Sequence, residues 1–377
     1  MNIRLYNARI MTMEEPGVIM EGEVHVKGNV ISYVGSAMET VENEKWDREI
    51  DCGKNLLMPG FKNAHTHSAM TVFRSLCDDY NLQDWLNNEI FPREANMTGE
   101  DCYELTKLAI LEYLTSGITS IFDMYLTPES IARACSEMGM RCVLTGAVNN
   151  FSQSVELMGR WWEKLNGNDP LISFLPGFHA EYTCSRELME QIAAFISERK
   201  QPVYVHLSET QAEVKGCLER WGMTPGCFLD SLGMFEYGGG IYHGVWLTEQ
   251  EMDIFQEKRV SVITNPASNL KLASGIAPIS QFLKKGLNVA IGTDGPASNN
   301  CLDMFREMFL VTGLAKLSTG DAAAVDAMEV LKMATVNGAY AMRLPQVDVL
   351  AKGKLADLIL LDLHMPNMQP MNHIAKN

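Results

Sequence analysis

The sequence predicts an α/β fold, a (β/α)8 barrel of the TIM type with a small flanking β-sandwich domain. From residue 57 onward, short apolar runs of strand length alternate with longer segments of helical period, the pattern of βα units around a parallel sheet. Eight such runs can be counted, at 57–64, 119–124, 141–147, 172–177, 202–207, 240–245, 260–265 and 288–292, and eight is the number that closes a barrel. Before residue 57 the grammar differs, with short alternating runs punctuated by Gly and Asn and no helix between them.

In chain order, residues 1–56 read as small antiparallel strands, as in the run from Val24 to Val34 around Gly28 and Asn29. The first barrel strand ends in His65-Thr66-His67. The helix that follows is the most explicit one. Thr98 caps it with Asp101 three residues on, and Leu105, Leu108, Ala109 and residues 111–114 supply its apolar stripe before Gly117 ends it. After the eighth strand, helix-like segments run to Met342, and residues 353–362 again read as a strand that joins the N-terminal ones. The expected division is therefore a small β domain from 1–56 plus 346–377 and a barrel over 57–345. No repeat or low-complexity tract interrupts it.

Composition narrows the partners. Hydrophobic residues make up 46% and charged ones 21%, which places the chain among folded globular proteins. A formal net charge of -16 argues against a nucleic-acid backbone or an anionic membrane as partner, since both call for a basic surface. A small-molecule substrate remains, and a homo-oligomer is compatible with the composition. Nine cysteines without a Cys-x-x-Cys pair fit a reducing, cytoplasmic compartment better than a disulfide framework. The N-terminus has no signal-peptide pattern, and no apolar run is long enough to span a bilayer.

The residues that carry chemistry fall at strand ends, where barrel enzymes build their sites. Alternate residues of a strand share a face, so His65 and His67 can address one centre. Downstream strands end in His179, in His206-Leu207-Ser208-Glu209, in His243 and in Thr293-Asp294-Gly295. A single histidine after an apolar run is ordinarily a core residue, but this many at barrel strand ends is not explained that way. Three histidines and one aspartate suit Zn²⁺ and would also hold Fe²⁺. An ion there lowers the pKa of a bound water towards ~7. Glu209, three residues past His206, is placed to protonate a ring nitrogen, and Asp294 to take the water proton. A second metal would need a bridging ligand, often a modified lysine on the fourth strand, but residues 172–180 contain no lysine, so one metal is expected. The polar segments 265–269 and 123–125 at the remaining strand ends read as wall.

Taken together, Pro59-Gly60-Phe61 through His67, His206 to Glu209, the run from Asn265 to Leu272, Gly275-Ile276-Ala277-Pro278, and Gly292 to Gly295 with Ser298-Asn299-Asn300 make the chain resemble the amidohydrolase superfamily. Within it the likeness is to the mononuclear aminohydrolases, which include cytosine, guanine and chlorotriazine enzymes, and most of all to the 5-methylthioadenosine/S-adenosylhomocysteine deaminases. The resemblance implies His65, His67, His206 and Asp294 as ligands of one Zn²⁺, Glu209 as proton shuttle and His243 as the group that positions the attacking hydroxide. It further implies Glu94, His179 and Ser298 as substrate contacts, with Glu94 accepting from ribose hydroxyls and Trp85 forming a pocket wall. Gly146 stands where these deaminases carry an arginine, and Arg160 is the nearby replacement candidate. The family also continues past Asn377 with further strands, so the small sheet is expected to be incomplete in this chain.

The expected activity is hydrolytic deamination of an adenine nucleoside, with weak demand for a charged tail. Two alternatives stay open at this point. The same site suits deamination of a free base (guanine, cytosine or another heterocycle) or a chlorohydrolase-type or amide hydrolysis, because scaffold and metal do not fix the leaving group. A barrel that binds metal without catalysis would leave Glu209 and His243 without a purpose.

Overall fold

The computed structural model describes residues 1–38 and 45–377, so part of the expected N-terminal strand region, residues 39–44, lies outside the described residues. The chain divides into two compact units, Met1–Lys62 with Asp326–Asn377, and Asn63–Val325. The second division falls at 325/326, where the sequence places it at 345/346, because helices Ala327–Ala334 and Val336–Ala341 group with the first unit.

The larger unit is organised by parallel strands with helices between them. We label its strands β1 (Phe61–Thr66), β2 (Ile118–Met124), β3 (Arg141–Thr145), β4 (Ile172–Leu175 continuing as Gly177–Ala180), β5 (Val203–Leu207), β6 (Gly239–His243), β7 (Val260–Thr264) and β8 (Val289–Ile291). Strand β4 is split at Pro176, which has no N–H to give the ladder. Its first half pairs with β3 and its second with β5, so the ladder appears as a four-stranded and a five-stranded piece. Glycine is required just after the split, since a Cβ on Gly177 would come within 2.2 Å of Thr145 Oγ1. Parallel bridges Val148 to Phe178 and Thr66 to Asp294 join the two pieces, the second supported by Asp294 N–H donating to His65 O at 3.0 Å. The order runs from β1 to β8 and back to β1, a TIM barrel. Its strands are buried almost throughout, as a sheet covered on both faces must be.

The helix Gly99–Thr115 has the expected capping box between Thr98 and Asp101. Its orientation corrects the sequence reading. Cys102, Thr106, Ala109, Ile110 and Tyr113 face inward, while Leu108, Leu111 and Leu114 are each more than half exposed. The helix is apolar nearly all round, so spacing alone could not choose the core face.

In the smaller unit, Asn2–Ile10 pairs antiparallel with Met20–Lys27, which pairs antiparallel with Val30–Gly35. The expectation of antiparallel strands stops there: Arg48–Asp51 and Leu56–Pro59 both run parallel to Asn2–Ile10. The run 57–64, expected as one strand, is divided at Gly60; Leu56–Pro59 belongs to this sheet and Phe61–Thr66 to the barrel ladder. The strand expected within 353–362 is observed as Leu358–Leu361, antiparallel to Leu56–Pro59 at the edge of the sheet. Leu5, Ile10, Val24, Ile31, Leu57 and Leu350 are among the residues that form this unit's own core.

Candidate active site

Each strand end delivers its side chain through a local device. Ser208, His243 and Asp294, which lie at or just beyond the ends of β5, β6 and β8, have φ of 53, 72 and 58°. This left-handed turn ends the extended run and turns the next residue back over the barrel mouth. It costs a non-glycine residue roughly 1–3 kcal/mol and persists where the surroundings over-determine it.

Four donors, one each from His65, His206, His243 and Asp294, lie within 4.8 Å of one another, and all four residues are buried. His67 lies outside that set, although its Nε2 is 3.1 Å from Asp294 Oδ1. In His67, His206 and His243 the ring nitrogen facing away is held. Nδ1 of His67 bonds the carbonyl of Met124, Nδ1 of His206 bonds His179 O at 2.8 Å, and Nδ1 of His243 bonds Asn269 Oδ1 at 2.8 Å. A carbonyl oxygen only accepts, so the proton sits on Nδ1 and the Nε2 lone pairs of His67 and His206 point inward. His65 stacks on Tyr242 at 3.7 Å between ring centroids, and its Nε2 is 3.1 Å from His206 Nε2 and 3.4 Å from Asp294 Oδ1.

This convergence of lone pairs on a carboxylate calls for positive charge at the centre. Burial pushes His65 down to about 3 and His206 well below the ordinary histidine value. Burial also acts downward on His67, but its hydrogen bond with Asp294 and that residue's charge raise it to about 9, so until an ion takes the Nε2 lone pair that atom holds a proton towards the carboxylate. Burial alone would raise Asp294; the hydrogen bonds from His65 and His67 instead hold it well below the usual carboxylate range. Its outer oxygen accepts from Ser268 Oγ at 2.6 Å, and Gly295 N–H donates to Oδ1 at 2.8 Å. The donor set of imidazoles and one carboxylate fits a divalent ion of the zinc type.

Above this centre lies a cavity of about 360 Å³ whose lining includes His67, His179, His206, Glu209, His243 and Asp294. Trp85, Glu94 and Ser298 line the same cavity, so every substrate contact named from the sequence is brought to one place. Glu209 Oε2 is 3.6 Å from His243 Nε2, and Glu209 Oε1 accepts from Ser274 Oγ at 3.1 Å. Burial raises the Glu209 carboxyl above its ordinary value, against the opposing pull of His243. Burial likewise raises Glu94 to about 7, with a hydrogen bond from Tyr125 acting the other way, and lowers His179 to about 4. Arg160 is not part of the lining. It sits on helix Val155–Leu165, outward, paired with Glu156 at 2.7 Å. Gly146 is confined too, since a Cβ there would lie 3.2 Å from Gly177 O.

The sequence reading passed over the residues that hold these groups. Ser268 and Asn269, read as wall, bond Asp294 and His243 directly. Glu213 accepts from the backbone N–H of Ser208 at 2.7 Å and of Glu209 at 2.8 Å, fixing the turn that presents the glutamate. Its position four residues past Glu209, at the start of a helix capped by Thr210, was the available signal.

Parallel barrel strands that end in clustered imidazoles and one buried carboxylate, under a small-molecule cavity, define a metal-dependent hydrolase. The chain belongs to the amidohydrolase family, which its residues 56–377 match. It is 39% identical to a 5-methylthioadenosine/S-adenosylhomocysteine deaminase of Caldanaerobacter subterraneus subsp. tengcongensis over 99% of this chain and 88% of the relative. It is also 39% identical to a 5'-deoxyadenosine deaminase of Methanothermobacter thermautotrophicus, over 94% of this chain and 84% of that protein. Among solved structures, an adenosine deaminase of Xanthomonas campestris with bound zinc superposes with a TM-score of 0.94 at 33% identity, covering 100% of this chain and 87% of that one.

Burial raises Glu213 to about 8, against the two backbone N–H groups that favour its charged form. A carboxyl raised on folding favours the protonated state, so its contribution to stability is complete below the ordinary glutamate value of 4.5 and is lost as pH rises towards 8. Urea denaturation at pH 5 and pH 8 should show wild type losing more stability over that interval than Glu213→Gln. Equal losses in the two proteins would contradict this.

Proposed function

We propose that the chain is a hydrolytic deaminase of adenine nucleosides with an uncharged 5′ substituent, releasing ammonia, with one Zn²⁺ held by His65, His67, His206 and Asp294. The observation that carries the metal assignment is the locking of His67 and His206 at Nδ1 by backbone carbonyls, which leaves Nε2 facing Asp294. His243 makes longer approaches, 3.6 Å to Glu209 and 3.8 Å to Asp294, and its Nδ1 is tied to a side-chain amide. That suits a group that orients a water between the two carboxylates. Fe²⁺ would satisfy the same donors.

A bound ion would lower the pKa of a water towards ~7, so that the nucleophile would be available at neutral pH. The protein residues then do the proton work. His243 Nε2 orients the attacking oxygen towards the ring carbon that bears the amino group, and Asp294 accepts the proton that this oxygen gives up. Glu209, whose carboxyl burial raises, gives a proton to the adjacent ring nitrogen, and the proton that Asp294 took from the attacking oxygen goes to the departing amine. Carbon–oxygen bond formation and carbon–nitrogen cleavage balance as nucleoside plus water giving the 6-oxo product plus ammonia. Glu94 offers a carboxyl to the ribose hydroxyls, His179 and Ser298 contact the base, and Trp85 closes the wall.

Relatives named as adenine-nucleoside deaminases, matched over nearly the whole chain, support the substrate class. The lining supports the uncharged tail: it includes Leu82, Trp85, Leu86, Ile90, Phe91 and Phe151, and no lysine or arginine is among the described lining residues. In domain terms we assign the metal-dependent barrel to the unit Asn63–Val325 and a small β domain to Met1–Lys62 with Asp326–Asn377. The nine free cysteines accord with a cytoplasmic setting, and no helix among the described residues is long and apolar enough to cross a membrane.

Side-by-side kcat/KM for adenosine, 5′-methylthioadenosine, S-adenosylhomocysteine, guanine and cytosine tests the reading. The neutral nucleosides should exceed S-adenosylhomocysteine by at least about 30-fold, the equivalent of roughly 2 kcal/mol for a missing carboxylate partner. Preference for S-adenosylhomocysteine overturns the tail assignment, and turnover of a free base alone overturns the nucleoside. Glu209→Gln should lower kcat by ~10²–10⁴-fold; wild-type turnover would remove its proton role.

A further inference from the structure

We propose, resting on the reading of this centre as a site for one divalent ion, that Tyr242 is a positioning residue: its ring fixes the plane of the His65 imidazole and so the direction in which His65 Nε2 offers its lone pair. An imidazole gives its lone pair in the ring plane, so a ligand histidine needs that plane fixed, and the usual device is a hydrogen bond at the other ring nitrogen. His67, His206 and His243 each have one. His65 Nδ1, by contrast, is buried and has no hydrogen-bond partner among the described residues. Its ring must be held in another way.

A stack does so. The rings of His65 and Tyr242 lie face on face, 3.7 Å apart between centroids and 21° from parallel. Such aromatic pairs attract beyond the area they bury. The same Tyr242 ring meets the His206 imidazole at 5.3 Å and 62°. It therefore packs against both of the imidazoles whose Nε2 atoms stand 3.1 Å apart. Strand register explains the placement, because Tyr242 on β6 is the partner of His206 on β5, and paired residues of neighbouring parallel strands face the same side.

Tyr242 is in turn held by further rings. Tyr204, two residues before His206 on β5, lies near-parallel to it at 6.4 Å and 26°. Phe122 on β2 packs edge-on against both, at 4.6 Å from Tyr204 and 6.2 Å from Tyr242. Gly240, the register partner of Tyr204, makes room for that ring, since a Cβ there would come within 2.8 Å of Tyr204 Cε1. Strands β1, β2, β5 and β6 thus give one fully buried ring each to a column in the barrel interior, with His65 at its mouth end. The Tyr242 hydroxyl is buried with no hydrogen-bond partner among the described residues. The face of the ring, not the hydroxyl, is what Tyr242 contributes.

Cobalt(II) bound in place of zinc reports donor geometry through its visible absorption band, which a loss of fold stability alone does not move. Wild type should take up Co²⁺ and show such a band. Tyr242→Phe, which keeps the ring and removes an unpartnered hydroxyl, should reproduce that band and hold zinc within about twofold of wild type. Tyr242→Leu, which removes the stack, should change the band and weaken zinc binding at least about tenfold, read by competition with a chelating dye, while keeping the far-UV circular dichroism of wild type. A wild type that takes up no Co²⁺ overturns the reading of the centre as a metal site, and the positioning role with it. Where wild type binds Co²⁺, a Tyr242→Leu protein with the wild-type band and affinity overturns the positioning role alone. A Tyr242→Phe protein that loses either does the same, and that result stands even if Tyr242→Leu fails to fold.

Discussion

The carboxylate of Asp294, buried against the imidazoles of His65 and His67, is the contact on which the rest of the site depends. It is made where the barrel closes: the bridge between Thr66 and Asp294, with the hydrogen bond from Asp294 N–H to His65 O, joins the last strand to the first. Closing the ladder and assembling the charged centre are therefore one structural event. Without that closure, the ends of β1 and β8 would have no reason to meet, and the acceptors gathered there would have no common focus. The carboxylate is in turn held by Ser268 and Gly295, so its position is fixed from three sides.

Backbone conformation reinforces this geometry. Ser208, His243 and Asp294 all take left-handed φ in the barrel mouth, which a β-strand leading into a helix does not need by itself. At Ser208 the turn is fastened by Glu213, and the residue it presents is Glu209. At His243 the ring is fastened by Asn269. Strained turns with dedicated buried partners mark where the fold has given up local stability to aim a side chain. The cavity lining, by contrast, includes Leu82, Leu86, Ile90 and Phe91, with no lysine or arginine among the described lining residues.

Much of this was legible in the sequence for a physical reason. Buried parallel strands read as short apolar runs, and a polar residue at the end of such a run is a barrel-mouth residue, which is how His65, His67, His206, His243 and Asp294 were found. What escaped was set by tertiary contact. Glu213, Ser268 and Asn269 look like ordinary helix-start residues until their partners are known. The helix Gly99–Thr115 is apolar on several faces, and only packing shows that Cys102, Thr106, Ala109 and Tyr113 face the core while Leu108 and Leu111 do not. The run 57–64 reads as one strand because Gly60, which divides it between two sheets, leaves the apolar pattern unbroken. Arg160 lay near enough in sequence to suggest a substrate contact, yet helix Val155–Leu165 turns it outward to Glu156.

The central claim is that the inward lone pairs of His67 and His206, facing the Asp294 carboxylate, make a site that must hold a cation. Elemental analysis of the purified protein tests it most directly, with Asp294→Asn measured beside wild type. The account predicts one zinc, or iron in its place, per wild-type chain, and at least a tenfold weaker hold on the ion in the variant, as expected when a ligating carboxylate is neutralised. Wild-type protein that is active with no metal, or that holds two tightly bound ions per chain, would contradict it.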